Sequence, residues 1–172
     1  MMAFSSPLAE RAASRADAVV LSALTVADAE RVAAVIRTAF ATQSRDTTPP
    51  SSALSETAET ITARIAAGGG FGVFADGRAV AVALWQVDGD ALVIARVCAL
   101  PEWRGRGLGR SLIAACEVEG RARGLGRARL RVRLALPENE RLFSQLGFAR
   151  IRIEAHAGFD APTVAVLEKR LG

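Results

Sequence analysis

The sequence predicts a mixed α/β (α+β) fold: a single, mostly antiparallel seven-stranded sheet flanked by about four helices. Three observations predict it. Apolar runs of strand length, broken by Asp–Gly turns, cluster between residues 71 and 99. Segments whose apolar residues recur three and four apart, as one face of a helix requires, lie on both sides of that cluster. No repeat, linker or compositional break divides the 172 residues, a length that suits one domain.

Residues 18–24 (AVVLSAL) read as the first strand. Thr25 and Asp28 are helix-start residues, after which Val32, Val35, Ile36 and Phe40 share one helical face. ATQSRDTTPPSSA is a loop turning at Pro49–Pro50, and a second helix is expected from about residue 54 to 67, ended by the glycines at 68–70. FGVFA, AVAVALWQV and ALVIARVCA form a three-strand meander, joined at Asp76–Gly77 and Asp88–Gly89. A long helix over about 108–123 stops at Gly124 and Gly126. RARLRVRL alternates as a strand does, with Arg129, Arg131 and Arg133 on one face and Leu130, Val132 and Leu134 on the other. The chain breaks at Pro137, Asn139 opens a short helix closed by Gly147, and FARIRIEAH and PTVAVLEKRL supply the last two strands.

Composition narrows the function classes. With 51% hydrophobic residues the chain can bury a sizeable core, and no apolar run approaches the roughly 20 residues of a membrane span. Residues 1–17 lack the basic head and apolar centre of a secretory signal and read as a flexible tail ahead of a domain at 18–172. Cys98 and Cys116 lie inside apolar runs, which indicates neither a disulfide framework nor a metal site. A cytoplasmic protein without metal is the expectation. The net charge is +4, yet residues 104–133 hold nine Arg against Glu117 and Glu119, so the rest of the chain is net acidic. A local excess of this kind suits a focused anion site better than a nucleic-acid surface, and no aromatic platform for bases accompanies it.

The centre of that excess is RGRGLGRS, residues 104–111. A strand, a glycine-rich turn and a helix start in succession make an anion site, because the first helical N–H groups have no intrahelical partner and the helix dipole adds positive charge there. Gly105, Gly107 and Gly109 leave the backbone open to a phosphate, while Arg104, Arg106 and Arg110 add charge; a pyrophosphate is the natural guest. No Lys follows the glycines as a P-loop requires, and their spacing is not that of a dinucleotide-binding turn. A tight strand–helix turn with solvated arginines is the plainer alternative.

VCALPEWRGRGLGRSLIAACEVEGRARG resembles the acetyl-CoA motif R-x-x-G-x-G/A of the GNAT superfamily of N-acyltransferases, with Arg104, Gly107 and Gly109 in its fixed places. ENERLFSQLGF resembles the family's second motif, in which an Asn precedes a helix ending L-G-F. The resemblance covers about residues 18–172 and implies an acetyl-CoA-dependent N-acetyltransferase acting on a primary amine. It further implies that Val97, Cys98 and Ala99 face the pantetheine arm, that Arg104, Gly105, Arg106, Gly107, Leu108, Gly109 and Arg110 bind the pyrophosphate, and that Asn139 and Phe143 approach the coenzyme from the next helix. A backbone N–H near Cys98 or Ala99 would polarise the thioester carbonyl, and Cys98 itself reads as a strand residue rather than a nucleophile.

The sequence departs from the family where many relatives carry a Tyr thought to protonate the leaving thiolate. Phe143 stands there, and the chain has no tyrosine, which leaves solvent as the proton source. Asn139 lies four residues before Phe143, and Leu136 occupies the place where many members put the Asn. Glu102 and His156 are the candidate bases: Glu102 beside the phosphate turn, His156 because an unperturbed pKa of about 6.5 suits proton transfer. On the acceptor side, Glu56 or Glu59 would suit a cationic amine, whereas an arginine face of 129, 131 and 133 would suit an acidic one if it opens to the cleft and bears on no acceptor if it simply faces water. A coenzyme-binding sensor without turnover is the alternative function, and a homodimer is compatible with the chain although no residue specifies one.

Overall fold

The computed structural model describes residues 19–172, so the expected tail at 1–17 lies outside the described residues. Seven strands form one sheet in the order β1-β2-β3-β4-β5-β7-β6. They are β1 (Val19–Ala23), β2 (Gly69–Ala75), β3 (Arg78–Asp88), β4 (Ala91–Ala99), β5 (Arg127–Arg133), β6 (Ala149–Glu154) and β7 (Val164–Arg170). All neighbours run antiparallel except β4 and β5, which are parallel. The helices are α1 (Ala29–Ala41), α2 (Ala58–Ala67), α3 (Leu108–Ala122) and α4 (Pro137–Gln145). The predicted class and element order are those observed.

Two helix starts differ from expectation. The second helix begins at Ala58 rather than near residue 54, because the Thr57 side chain accepts the Thr60 N–H and Thr60 answers to the Thr57 N–H, a reciprocal cap that sets the start. Residues Ser52–Ser55 ahead of it form a single 3₁₀ turn. The fourth helix begins at Pro137, two residues before Asn139. Proline's missing N–H costs nothing at a first helical position, so it starts this helix instead of breaking the chain.

Apolar residues from both sheet faces build the core, including Val32, Ile36, Ile61, Leu92, Leu112, Ile113 and Leu167, each 2% exposed or less. Burying a side chain of this size stabilises by about 1.5–3 kcal/mol. α3 packs on the face that carries Leu92, and its Gly120 sits so close that an added Cβ would lie 2.5 Å from Leu171. α1 and α2 cover the opposite face of β3 and β4. Along β5 the arginines alternate with Leu130 and Val132, which are buried, so the arginines share the other face.

The parallel β4–β5 pairing ends at Ile94↔Leu130, although β4 runs on to Ala99 and β5 to Arg133. Its cause lies in β4. Val82 pairs with Cys98 and Leu84 with Ala95, so Arg96 and Val97 together oppose Ala83 as a β-bulge. Arg96 takes a left-handed backbone, φ 57°, a costly conformation for a side chain of its size. The bulge bends β4 away from β5 and opens a gap in the middle of the sheet.

Candidate active site

The gap leads into a cavity of about 310 Å³ between the end of α1, the end of β4 and the start of α4. Val97, Cys98, Ala99, Arg104 and Asn139 all line it, as do Leu136, Glu138, Thr42 and Ser44. Five residues expected at a coenzyme site thus meet on one wall system, drawn from three separate elements. Leu100 N–H donates to Val80 O, whereas Ala99 O accepts from Arg104 Nε at 3.3 Å. Because backbone groups alternate sides along a strand, Ala99 turns its N–H toward the gap as well. That N–H is the donor aimed where a carbonyl oxygen could lie.

At the outer end of β4 the chain makes a 3₁₀ turn, Pro101–Trp103, and then enters the glycine turn. Gly107 precedes the first residue of α3 with φ 78°, a conformation that glycine adopts without strain. No side chain caps this helix start, and its first turn holds no acidic residue. The leading N–H groups of α3 therefore keep their positive end open. A Cβ built on Gly105, Gly107 or Gly109 meets nothing within 4 Å, so the cradle is backbone-lined and accessible. Leu108 contributes only its backbone, since its side chain is buried. Arg110 is exposed, and the Arg106 guanidinium carbon lies over the Trp103 ring, 4.4 Å from its centre, while the side chain donates to Glu102 O.

Arg104 has a role that its place in the motif does not reveal. Its guanidinium donates to Ala39 O, Thr42 O and Thr42 Oγ1 at 2.8–3.1 Å, in addition to Ala99 O. It closes the C-terminus of α1, where a cation is favoured by the helix dipole, and ties that helix to the end of β4. One wall of the cavity is positioned by this residue.

Other expected residues fall elsewhere. Phe143 is buried edge-on against Phe148, ring centres 6.1 Å apart, and does not line the cavity. Glu102 is exposed on the 3₁₀ turn and does not line the cavity either. Cys98 does line it, but burial pushes its thiol pKa up to about 12 against the lowering pull of Arg96 and Arg104, so the thiol is neutral and a poor nucleophile. His156 stands on the connection from β6 to β7, with Nδ1 2.5 Å from Thr163 Oγ1 and 3.5 Å from Arg133 Nη1. Partial burial first, then Arg133 and Arg131, lower its pKa and keep the ring neutral near pH 7.

Glu56 does not wait for a cationic amine. It is 3% exposed and holds Arg96 at 2.8 Å and Arg64 at 3.1 Å, with the Thr60 hydroxyl at 2.6 Å. Burial raises its pKa, but the Thr60 hydrogen bond and Arg96 outweigh burial and leave it below the ordinary 4.5. Arg96 also donates to Ser52 Oγ, so the pair fastens the α1–α2 connection to the bulge that opens the sheet. Sequence reasoning missed this pair, although its signal was present: Arg96 is the lone charge in the apolar strand ALVIARVCA, and a buried arginine needs a carboxylate. Glu138 was missed too. It is the carboxylate on the cavity wall, accepting from Ser44 Oγ, and that hydrogen bond is the main reason its pKa is lowered.

A seven-stranded sheet that splays between two parallel strands, with an uncapped glycine turn following the cavity-lining Arg104, defines an acyltransferase type of fold. Residues 34–148 match the acetyltransferase (GNAT) family, and the chain belongs to that family. Among solved structures it is similar to the ribosomal-protein-S18-alanine N-acetyltransferase of Escherichia coli, with 21% identity over 90% of this chain and 94% of that one and a TM-score of 0.72. The PaiA N-acetyltransferase of Thermoplasma acidophilum, solved with coenzyme A, matches over 89% of this chain and 99% of its own at 17% identity and a TM-score of 0.71. An N-acetyltransferase from Staphylococcus aureus matches over 90% and 99% at 14% identity and a TM-score of 0.70. These likenesses establish the shared fold. No curated protein sequence matches the chain. No helix of the described residues is long and apolar enough to cross a membrane.

Proposed function

We propose that the protein is an N-acetyltransferase that moves an acetyl group from acetyl-CoA directly to a primary amine of a small molecule or peptide. The observation that carries this reading is the open glycine turn at the start of α3, which follows directly on Arg104 in the wall of the cavity where β4 and β5 have parted. Family membership and the coenzyme A bound by the similar Thermoplasma protein support it. The free N–H groups of α3 would hold the pyrophosphate, with Arg106 and Arg110 beside them. Val97, Cys98 and Ala99 would lie along the pantetheine arm and Asn139 across from them. Bound there, the coenzyme supplies an acetyl thioester for the amine to attack and a thiol to leave.

The chain's own part is positional and electrostatic. Ala99 N–H would donate to the carbonyl oxygen, and this preorganised donor favours the charge that develops as the amine adds. A protonated amine cannot attack, so a proton must first be taken up. Glu138, ionised on the cavity wall, and His156, neutral near the acceptor side, are the groups offered for that step. No tyrosine protonates the departing thiolate, and a thiol with a pKa of about 8.5 leaves tolerably without one. The localised charge of the glycine turn favours this coenzyme over a polynucleotide.

A panel of primary amines incubated with acetyl-CoA, read by release of free thiol above the amine-free rate, tests the reading. Amine-dependent release is the expected result. Coenzyme binding by calorimetry with no release for any amine would favour the sensor reading on the same fold.

A further inference from the structure

The exposed face of β5 carries a row of arginines, and the row ends differently from how it begins. Arg127 pairs with Asp90 and Glu168, Arg129 with Glu168 and Asp88, and Arg131 with Glu154. Arg133, the last of the row, has no carboxylate partner among the described residues. Its guanidinium reaches Pro50 O at 3.4 Å on the α1–α2 connection and His156 Nδ1 at 3.5 Å on the β6–β7 connection. Both contacts are long, and neither partner carries charge.

Position makes this difference meaningful. Arg133 lies three residues beyond Leu130, where β5 has already parted from β4, so it stands in the open section of the sheet. Leu136, which lines the coenzyme cavity, donates its N–H to Arg133 O at 3.0 Å and is therefore one tight turn away. Partial burial first, then Arg131 and Arg96, disfavour the charge on Arg133, while those two cations are themselves held by Glu154 and Glu56. A half-buried guanidinium that meets only neutral acceptors is completed by an anion. A carboxylate is the planar, two-oxygen partner that a guanidinium fits best.

We propose that Arg133 is a specificity-determining residue that holds a carboxylate on the acceptor, so that the amine substrate is an amino acid or a similar amine bearing a carboxylate. This rests on the acetyltransferase reading for its chemistry, but the anion site itself does not. His156, beside Arg133, would then lie near the same end of the acceptor, and the arginine's long bonds to Pro50 and His156 would give way to two short ones.

The test uses a panel of α- and ω-amino acids, each paired with its carboxamide, which keeps the amine and the size but removes the charge. Binding to the coenzyme-A-loaded protein is measured by calorimetry, and thiol release from acetyl-CoA is measured alongside it. In wild type, carboxylates are expected to exceed their amides at least tenfold in affinity and in kcat/KM for the amine. Arg133→Gln should erase that preference and Arg133→Lys retain part of it, both with unchanged affinity for coenzyme A and an unchanged melting temperature. Equal binding of acid and amide by wild type, or a preference that survives Arg133→Gln, overturns the proposal. Carboxylate binding without thiol release contradicts the transferase reading and supports the anion site, whereas thiol release indifferent to the carboxylate does the reverse.

Discussion

Two arginine-rich regions of this molecule look alike as sequence and behave oppositely as structure. RARLRVR on β5 and RGRGLGR before α3 each carry three or more arginines within seven or eight residues. On β5 the first three guanidiniums are met by Asp88, Asp90, Glu154 and Glu168, so the row is largely neutral. In the glycine turn no acidic residue enters the first turn of α3, and the helix end adds its own positive charge. An arginine count therefore does not locate an anion site. The supply of carboxylates by neighbouring strands does, and that supply depends on sheet order, which pairs β5 with β7 across about 30 intervening residues.

The largest stability effect should come from breaking the most buried pair. Glu56→Ala leaves Arg96 facing Arg64 with no carboxylate and should destabilise by about 3 kcal/mol, read from denaturant melts. Its pH signature has a definite sign. The folded carboxyl lies below its ordinary 4.5, so its contribution is present above that value and is lost as pH falls through the folded pKa. Wild type should lose this increment in acid, and Glu56→Ala should show a flatter profile there. A smaller effect is expected on the exposed row. Arg131→Gln leaves Glu154 its bond to Arg152, so the loss should be no more than about 1 kcal/mol, with coenzyme affinity unchanged. A larger loss of coenzyme affinity in that variant would erase the distinction between the two regions.

Periodicity and turn residues made most of the fold legible, because each strand of the meander and both long helices announce themselves within ten or fifteen residues. The glycine turn was legible for the same reason: its chemistry is local. What stayed hidden depends on distance along the chain. The Glu56–Arg96 pair spans 40 residues, and Arg104 caps a helix more than 60 residues before it. The left-handed backbone at Arg96 has no signal in a strand-like run, and Phe143 occupies a family site position while pointing into the core. Thr57 could have been chosen as the start of α2, since its cap with Thr60 is a short-range pattern.

The central claim, that the backbone at the start of α3 is the coenzyme's phosphate site, is tested most directly at Gly109. This residue is the second of the helix, its φ is unexceptional, and an added Cβ meets nothing within 4 Å. An aspartate there suits the helix end, by about 0.3–1 kcal/mol, and replacing a helical glycine adds a similar gain. Gly109→Asp should therefore melt at or above the wild-type temperature while placing a negative charge where the pyrophosphate must sit. Calorimetry with coenzyme A is expected to show at least a hundredfold weaker binding by this well-folded variant. Wild-type affinity in Gly109→Asp, with its fold intact, would contradict the assignment.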